Sequence, residues 1–255
     1  MAFHRYVALG DSFTEGVGDL DPSRPNGVRG WADRVAEVLA AQARAEGRDF
    51  GYANLAIRGR KLREILTEQV DPALALNPDL ITIYAGANDI LRPTVDIDAL
   101  IDEYDVALGR LAATGARLVV FTAFDPGGSA TFRITRGRFA TYNELLRPKA
   151  ERHGVTIVDY WRMREYRDWR LWDPDRMHMG PEGHQVMAIA VLDALGVSHD
   201  LQPLPLSEDS DGLSAALTDR EWARAHLAPW LLRRVRRESS GDDLSARRPE
   251  LAPMD

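Results

Sequence analysis

Four short segments of this 255-residue chain carry residue types that can do acyl chemistry. Gly10-Asp11-Ser12-Phe13 offers a hydroxyl, which becomes a useful nucleophile only when a base takes its proton. Asp175-Arg176-Met177-His178 offers such a base. An imidazole must be held in one tautomer to work, and a carboxylate accepting its Nδ1–H holds it and stabilises the imidazolium that forms. A separation of three residues can bring Asp175 and His178 to the same side of one turn. Gly86-Ala87-Asn88-Asp89 offers a side-chain amide able to donate to a developing oxyanion. Asn54-Leu55-Ala56-Ile57-Arg58-Gly59 ends on a glycine, where the backbone can approach a ligand closely and present its N–H.

Each segment alone has a plainer reading. Gly-Asp-Ser suits a helix cap, Gly59 an ordinary turn, Asn88-Asp89 a loop pair, and Asp175 with His178 a surface charge pair. The first segment is not the G-x-S-x-G elbow, because Thr14 stands where the second glycine would be. His184 is a second histidine near the same helix start. Gly180-Pro181-Glu182-Gly183 precedes it, so it lacks the aspartate three residues before.

The elements that must position these residues alternate. Tyr6–Leu9, Phe50–Asn54, Leu80–Tyr84, Leu118–Phe121 and Thr156–Asp159 read as strands. Gly30–Ala45, Lys61–Leu76, Ile97–Leu111, Arg138–His153 and Gly183–Leu195 read as helices, with Pro72 expected to break or kink the second and Pro181 near the first turn of the last. Ile97, Leu100, Ile101, Tyr104, Leu108 and Leu111 fall on one helical face. Strands alternating with helices predict a parallel sheet covered on both faces, with its site at the carboxyl ends of the strands. All four chemical segments follow a strand or open a helix.

In this order and on these edges, the segments resemble the SGNH hydrolase superfamily, also called the GDSL family of esterases and lipases. The resemblance spans residues 6–195. It implies a flavodoxin-like three-layer sandwich with a five-stranded parallel sheet, occupying residues 1–200. It also implies Ser12 as nucleophile, His178 as base and Asp175 as its orienting acid. The oxyanion hole would be the backbone N–H of Ser12, the backbone N–H of Gly59 and the amide of Asn88. No cofactor and no metal are implied, and the partner would be a small-molecule ester. The alternative on the same scaffold is an acyltransferase or deacetylase acting on a sugar or another alcohol. A non-catalytic binding domain would lack a nucleophile or base, and neither is missing. Phe13 stands where the family name has leucine, and Ala56 where many members carry glycine.

Composition excludes other classes. The chain has no cysteine, so disulfides, thiolate metal sites and cysteine nucleophiles are ruled out. The net charge of −7 argues against nucleic-acid binding. The apolar run at the N-terminus is too short for a signal-peptide core, and no stretch approaches a membrane span. These features predict a soluble, cytoplasmic protein. Arg58, Arg60, Arg133, Arg136 and Arg138 could line an anionic pocket, although arginine is plentiful here, and Asp125–Arg138 reads as a mobile loop that could cover the site.

Beyond the domain, residues 201–238 read as a linker and helical extension. Thr218-Asp219-Arg220-Glu221 has a capping-box pattern, so a helix should begin near Asp219. Pro229 to Arg237 reads as a second short helix. Trp222, Trp230, Leu231 and Val235 suit packing on the hydrolase domain, and membrane association is not expected. Residues 239–255 read as a disordered, dispensable tail.

Overall fold

Five apolar runs become the parallel strands of one sheet in the computed structural model of the protein, which describes residues 2–129, 131–206, 219–229, 232 and 239–254. In chain order the elements are β1 (Arg5–Gly10), α1 (Ser12–Glu15), α2 (Gly30–Ala45), β2 (Gly51–Asn54), α3 (Leu62–Glu68), α4 (Val70–Ala75), β3 (Leu80–Tyr84), α5 (Ala87–Ile90), α6 (Ile97–Ala112), β4 (Arg117–Phe121), α7 (Arg136–Arg152), β5 (Thr156–Val158), α8 (Pro181–Leu195), α9 (Asp219–Trp222) and β6 (Arg248–Ala252). The strand order is β5-β4-β3-β1-β2-β6. Its first five strands follow the flavodoxin-like order.

The sheet is apolar on both faces because helices cover both. Val7 and Leu9 of β1 pack with residues of α3, α4, α6 and α7. Tyr6 and Ala8, pointing the other way, pack with Trp31, Val35 and Leu39 of α2 and Met187 and Val191 of α8. The helix expected over 61–76 is two helices. Pro72 has no N–H to give the Glu68 carbonyl, so the chain resets at Gln69 and Pro72 falls in the first turn of α4.

β1 lies between β2 and β3. The chain leaves it toward β2 and later returns to its other side to form β3 and then β4. The carboxyl ends of β1 and β3 therefore flank the point where the winding direction reverses, which is where open α/β sheets leave a crevice.

The sheet has six strands, not the expected five, and residues 239–255 are not the expected disordered tail. β6 pairs antiparallel with β2, with Tyr52 opposite Ala252 and Asn54 opposite Arg248. Arg247 is the anchor. Its guanidinium pairs with Asp33 of α2, both side chains being wholly buried, and donates to the carbonyls of Val28 (2.6 Å) and Arg29 (2.8 Å). Burial pushes the Asp33 carboxyl up, against the pull of Arg247. A polar composition marked this segment as unable to pack, yet its arginine is the partner a buried carboxylate needs.

In the extension, Asp219–Trp222 is helical and continues as a π-helix over Ala223–Leu227; the expected capping residue Thr218 lies outside the described residues. The second helix expected over 229–237 falls largely outside the described residues, as does most of the linker. Among the described residues no helix is long and apolar enough to cross a membrane.

Arg247→Ala would leave the buried Asp33 without its hydrogen-bonded counter-charge. A loss of about 3–5 kcal/mol is expected, read as a lower thermal midpoint, and deleting residues 239–255 should cost at least as much. A truncated protein that melts like the intact one would show that the tail carries no stability.

Candidate active site

Gly10 ends β1 with a positive φ of 149°. A side chain there would meet the Tyr84 carbonyl at 2.7 Å and Thr14 Oγ1 at 2.6 Å. Gln69 clamps this residue from both sides, its amide oxygen accepting from the Gly10 N–H (2.8 Å) and its nitrogen donating to the Gly10 carbonyl (2.9 Å). The next residue, Asp11, caps α1 by accepting from the Phe13 N–H at 3.0 Å. Ser12 is thus the first residue of a helix whose start is fixed against β3.

His178 reaches Ser12 from the far end of the domain. Its Nε2 lies 3.0 Å from Ser12 Oγ, and its Nδ1 lies 2.5 Å from Asp175 Oδ2. The other Asp175 oxygen accepts the backbone N–H groups of Met177 (2.8 Å) and His178 (2.9 Å). The Asp173 N–H donates to the His178 carbonyl and closes the turn, with Arg176 in the left-handed region at φ 57°. Burial works to raise the Asp175 pKa, but the His178 charge and these donors hold it below the usual carboxylate range. Burial works to lower the His178 pKa, and the Asp175 carboxylate outweighs it, so the imidazole lies above its ordinary value. A carboxylate, an imidazole and a hydroxyl in this line can move a proton off the hydroxyl.

Asn88 lies in the first turn of α5, just beyond the end of β3. Its amide nitrogen donates to Asp11 Oδ2 (3.0 Å) and to the Arg60 carbonyl (3.1 Å). The side chain therefore bridges the Ser12 turn and the Gly59 loop. Glu15, fully buried three residues after Ser12, makes the second bridge. It accepts from the Arg58 N–H at 2.6 Å and pairs with the Arg58 guanidinium at 2.7 Å. Among the described residues no acceptor engages the backbone N–H of Ser12 or of Gly59. Gly59 needs its lack of a side chain, with φ at 80° and Ser239 Oγ where a Cβ would stand. Asp11 is almost wholly buried, which pushes its carboxyl up to about 7 against the lowering effect of the Phe13 N–H.

Ser12, Asn88 and His178 border a cavity of about 110 Å³ walled mainly by aromatic rings, among them Phe124, Phe132, Phe139, Tyr160 and Trp172. Gly59 does not line it and sits in the adjoining loop. Phe13 is both wall and core, with its ring 4.3 Å from that of Tyr84 and 5.2 Å from that of Phe121. Phe132 comes from the segment 125–138, which therefore contributes to the cavity. The arginines do not line it. Arg58 is held by Glu15, Arg60 by Glu68, Arg136 by Asp125, and Arg138 donates to the carbonyls of Ile90, Arg92 and Val95.

Asp11, Glu15, Gln69 and the aromatic wall had no readable signal in the sequence as site residues. Each acts through a partner distant along the chain.

Residues 8–186 match the model of the GDSL-like lipase/acylhydrolase family. No curated protein matches the chain. Among solved structures, LAE5, an α/β hydrolase enzyme from the metagenome of Lake Arreo in Spain, is similar at 24% identity and a TM-score of 0.61, covering 78% of this chain and 98% of its own. A structure described as a GDSL-like lipase from Parabacteroides merdae aligns at 20% identity and a TM-score of 0.64, covering 77% and 97%. A catalytic mutant of Axe2, an acetylxylan esterase from Geobacillus stearothermophilus, aligns at 23% and 0.60, covering 77% and 96%.

His184 plays a different part from His178. It is fully buried, its Nδ1 accepting from the Trp31 N–H and its Nε2 donating to the Val17 carbonyl, both at 3.1 Å. Burial pushes its pKa down to about 4. His184→Ala should strand both backbone groups and lower stability by roughly 2–4 kcal/mol. An unfolded histidine takes up a proton near pH 6.5, whereas the folded one does so only near 4. Unfolding is therefore favoured as pH falls through that window. Thermal midpoints across it should drop for the wild type and less steeply for His184→Ala; parallel slopes would remove His184 from this role.

Proposed function

The chain belongs to the GDSL-like lipase/acylhydrolase family, and on that premise we propose that it is a serine hydrolase cleaving carboxylic esters through an acyl-enzyme on Ser12. The observation that carries the reading is the line from Ser12 Oγ through His178 to Asp175, at 3.0 and 2.5 Å. His178 Nε2 takes the Ser12 proton as Oγ attacks the ester carbonyl carbon. The tetrahedral intermediate collapses, the carbon–oxygen bond to the leaving alcohol breaks, and the imidazolium gives that alcohol the proton. A water deprotonated by His178 then attacks the acyl-Ser12 ester, and the carboxylic acid leaves. Asp175 accepts the Nδ1–H throughout and stabilises the transient imidazolium.

The oxyanion is held by the backbone N–H groups of Ser12 and Gly59 and by the Asn88 amide. Both hydrogens of that amide are already engaged, so the oxyanion must displace an acceptor. Asp11 is the acceptor that yields, because a carboxyl held near 7 by burial is partly protonated at neutral pH and then accepts less strongly. The aromatic wall supports an ester with a compact apolar acyl or aryl group, which would lose little on leaving water for that cavity.

Ser12→Ala should fold normally and lose on the order of 10⁶ in kcat, as in comparable triads. Asn88→Ala should lower kcat by roughly 10²–10³ with a smaller change in KM. A rise in KM alone would make Asn88 a binding residue. Because the base must be neutral to act, kcat/KM should rise with pH through the His178 pKa, on a limb lying above the ordinary histidine value. Asp175→Asn removes the charge that raises this pKa, so the limb should move to lower pH. A limb that stays in place would unlink Asp175 from His178. Nitrophenyl esters of graded chain length measure the cavity directly.

A further inference from the structure

The family match ends at residue 186 and the solved structures leave about a fifth of the chain uncovered. Yet the extension reaches the catalytic turn. Trp222, in α9, is only 4% exposed. Its indole N–H donates to the backbone carbonyl of Asp175 at 2.8 Å. Its ring carries the Arg176 guanidinium at 5.2 Å from the centroid. One side chain therefore grips the 175–176 linkage on both sides, at the residue whose φ of 57° is costly for anything but glycine. The same turn aims Asp175 at His178, since its carboxylate is oriented by the N–H groups of residues 177 and 178.

We propose that Trp222 is a positioning residue for the Asp175–His178 pair, holding the strained turn so that the carboxylate stays on His178 Nδ1 and the imidazole on Ser12. This rests on the hydrolase reading above. The tail supports the other half of the site in the same manner. Gly241 packs on the Arg58 carbonyl too closely for any side chain, Ser239 Oγ donates to that carbonyl at 3.3 Å, and Asp242 pairs with Arg60 at 3.3 Å. The extension thus touches the acid–base turn at 175–176 and the glycine loop at 58–60. Neither contact enters the cavity, so their effect falls on the alignment of the machinery and not on substrate binding.

The test is a double-mutant cycle on the full chain with a nitrophenyl ester, with active protein counted by fluorophosphonate labelling. Trp222→Phe keeps the ring and removes the donor. It should lower kcat roughly tenfold with KM within about twofold, since small misalignments of reacting groups are costly. In an Asp175→Asn background the same change should cost less than about twofold, because the group it acts through is already lost. Arg176→Gln, which weakens the ring contact without touching the core, should give a smaller loss with the same dependence on Asp175, and it serves if Trp222→Phe does not fold. A kcat unchanged in Trp222→Phe, or an equal loss with and without Asp175, overturns the proposal. Ser12→Ala measured alongside separates the two readings. If it is active, the hydrolase reading fails; if it is dead while Trp222→Phe matches wild type, only the positioning role fails.

Discussion

No side chain fits at Gly10, and the rest of the site is arranged around that fact. The Tyr84 carbonyl and Thr14 Oγ1 occupy the space a Cβ would need. The end of β1 can therefore close on the end of β3, which brings Ser12 and Asn88 to the same edge. A bulkier residue would push the Ser12 turn away from β3, and Asn88 would lose Asp11 as a partner. Gln69 stabilises the arrangement by satisfying both polar groups of Gly10 at once, which matters because buried backbone groups left unpaired are expensive.

From that edge the site spreads by charge pairing across the chain. Glu15 joins α1 to the Gly59 loop through Arg58, and Asn88 joins the same loop through Arg60. His178 arrives from a turn 166 residues away in sequence and is aimed by Asp175. Several of these carboxylates are buried and share the neighbourhood. Their environments push them apart. Asp175 is held low by His178 and by backbone donors, while Asp11, which lacks a cation of its own, is driven up. Acid and base roles can then coexist within a few side chains.

The parts legible in the sequence were those whose meaning is local. The strands announced themselves as apolar runs, the helices as 3.6-residue periodicity, and Asp175 and His178 as a spacing within one turn. Gly59 and Asn88 were readable only as members of an ordered set. The parts that were not legible depend on distant partners. Glu15 fell in no expected element, and Gln69 lay inside an expected helix whose break was placed at Pro72. Arg247 sat in a polar segment read as a tail, because nothing local reveals that Asp33 is buried and pairs with it. The arginines that could have lined an anionic pocket do not, and Arg58, Arg60, Arg136 and Arg138 are held by carboxylates and carbonyls that no local pattern reveals. Phe13 stood out only as a departure from the family name, and it is both core and cavity wall.

In the proposed reaction, Ser12, Gly59 and Asn88 surround the oxygen of a substrate attached to Ser12. A crystal structure of the protein reacted with a small alkyl phosphonate tests it most directly. The expected structure has a covalent bond to Ser12 Oγ, with a phosphonyl oxygen about 2.7–3.1 Å from the Ser12 N–H, the Gly59 N–H and Asn88 Nδ2, and Asn88 parted from Asp11. An adduct on another residue, or an oxygen turned away from Gly59 and Asn88 toward solvent, would contradict it.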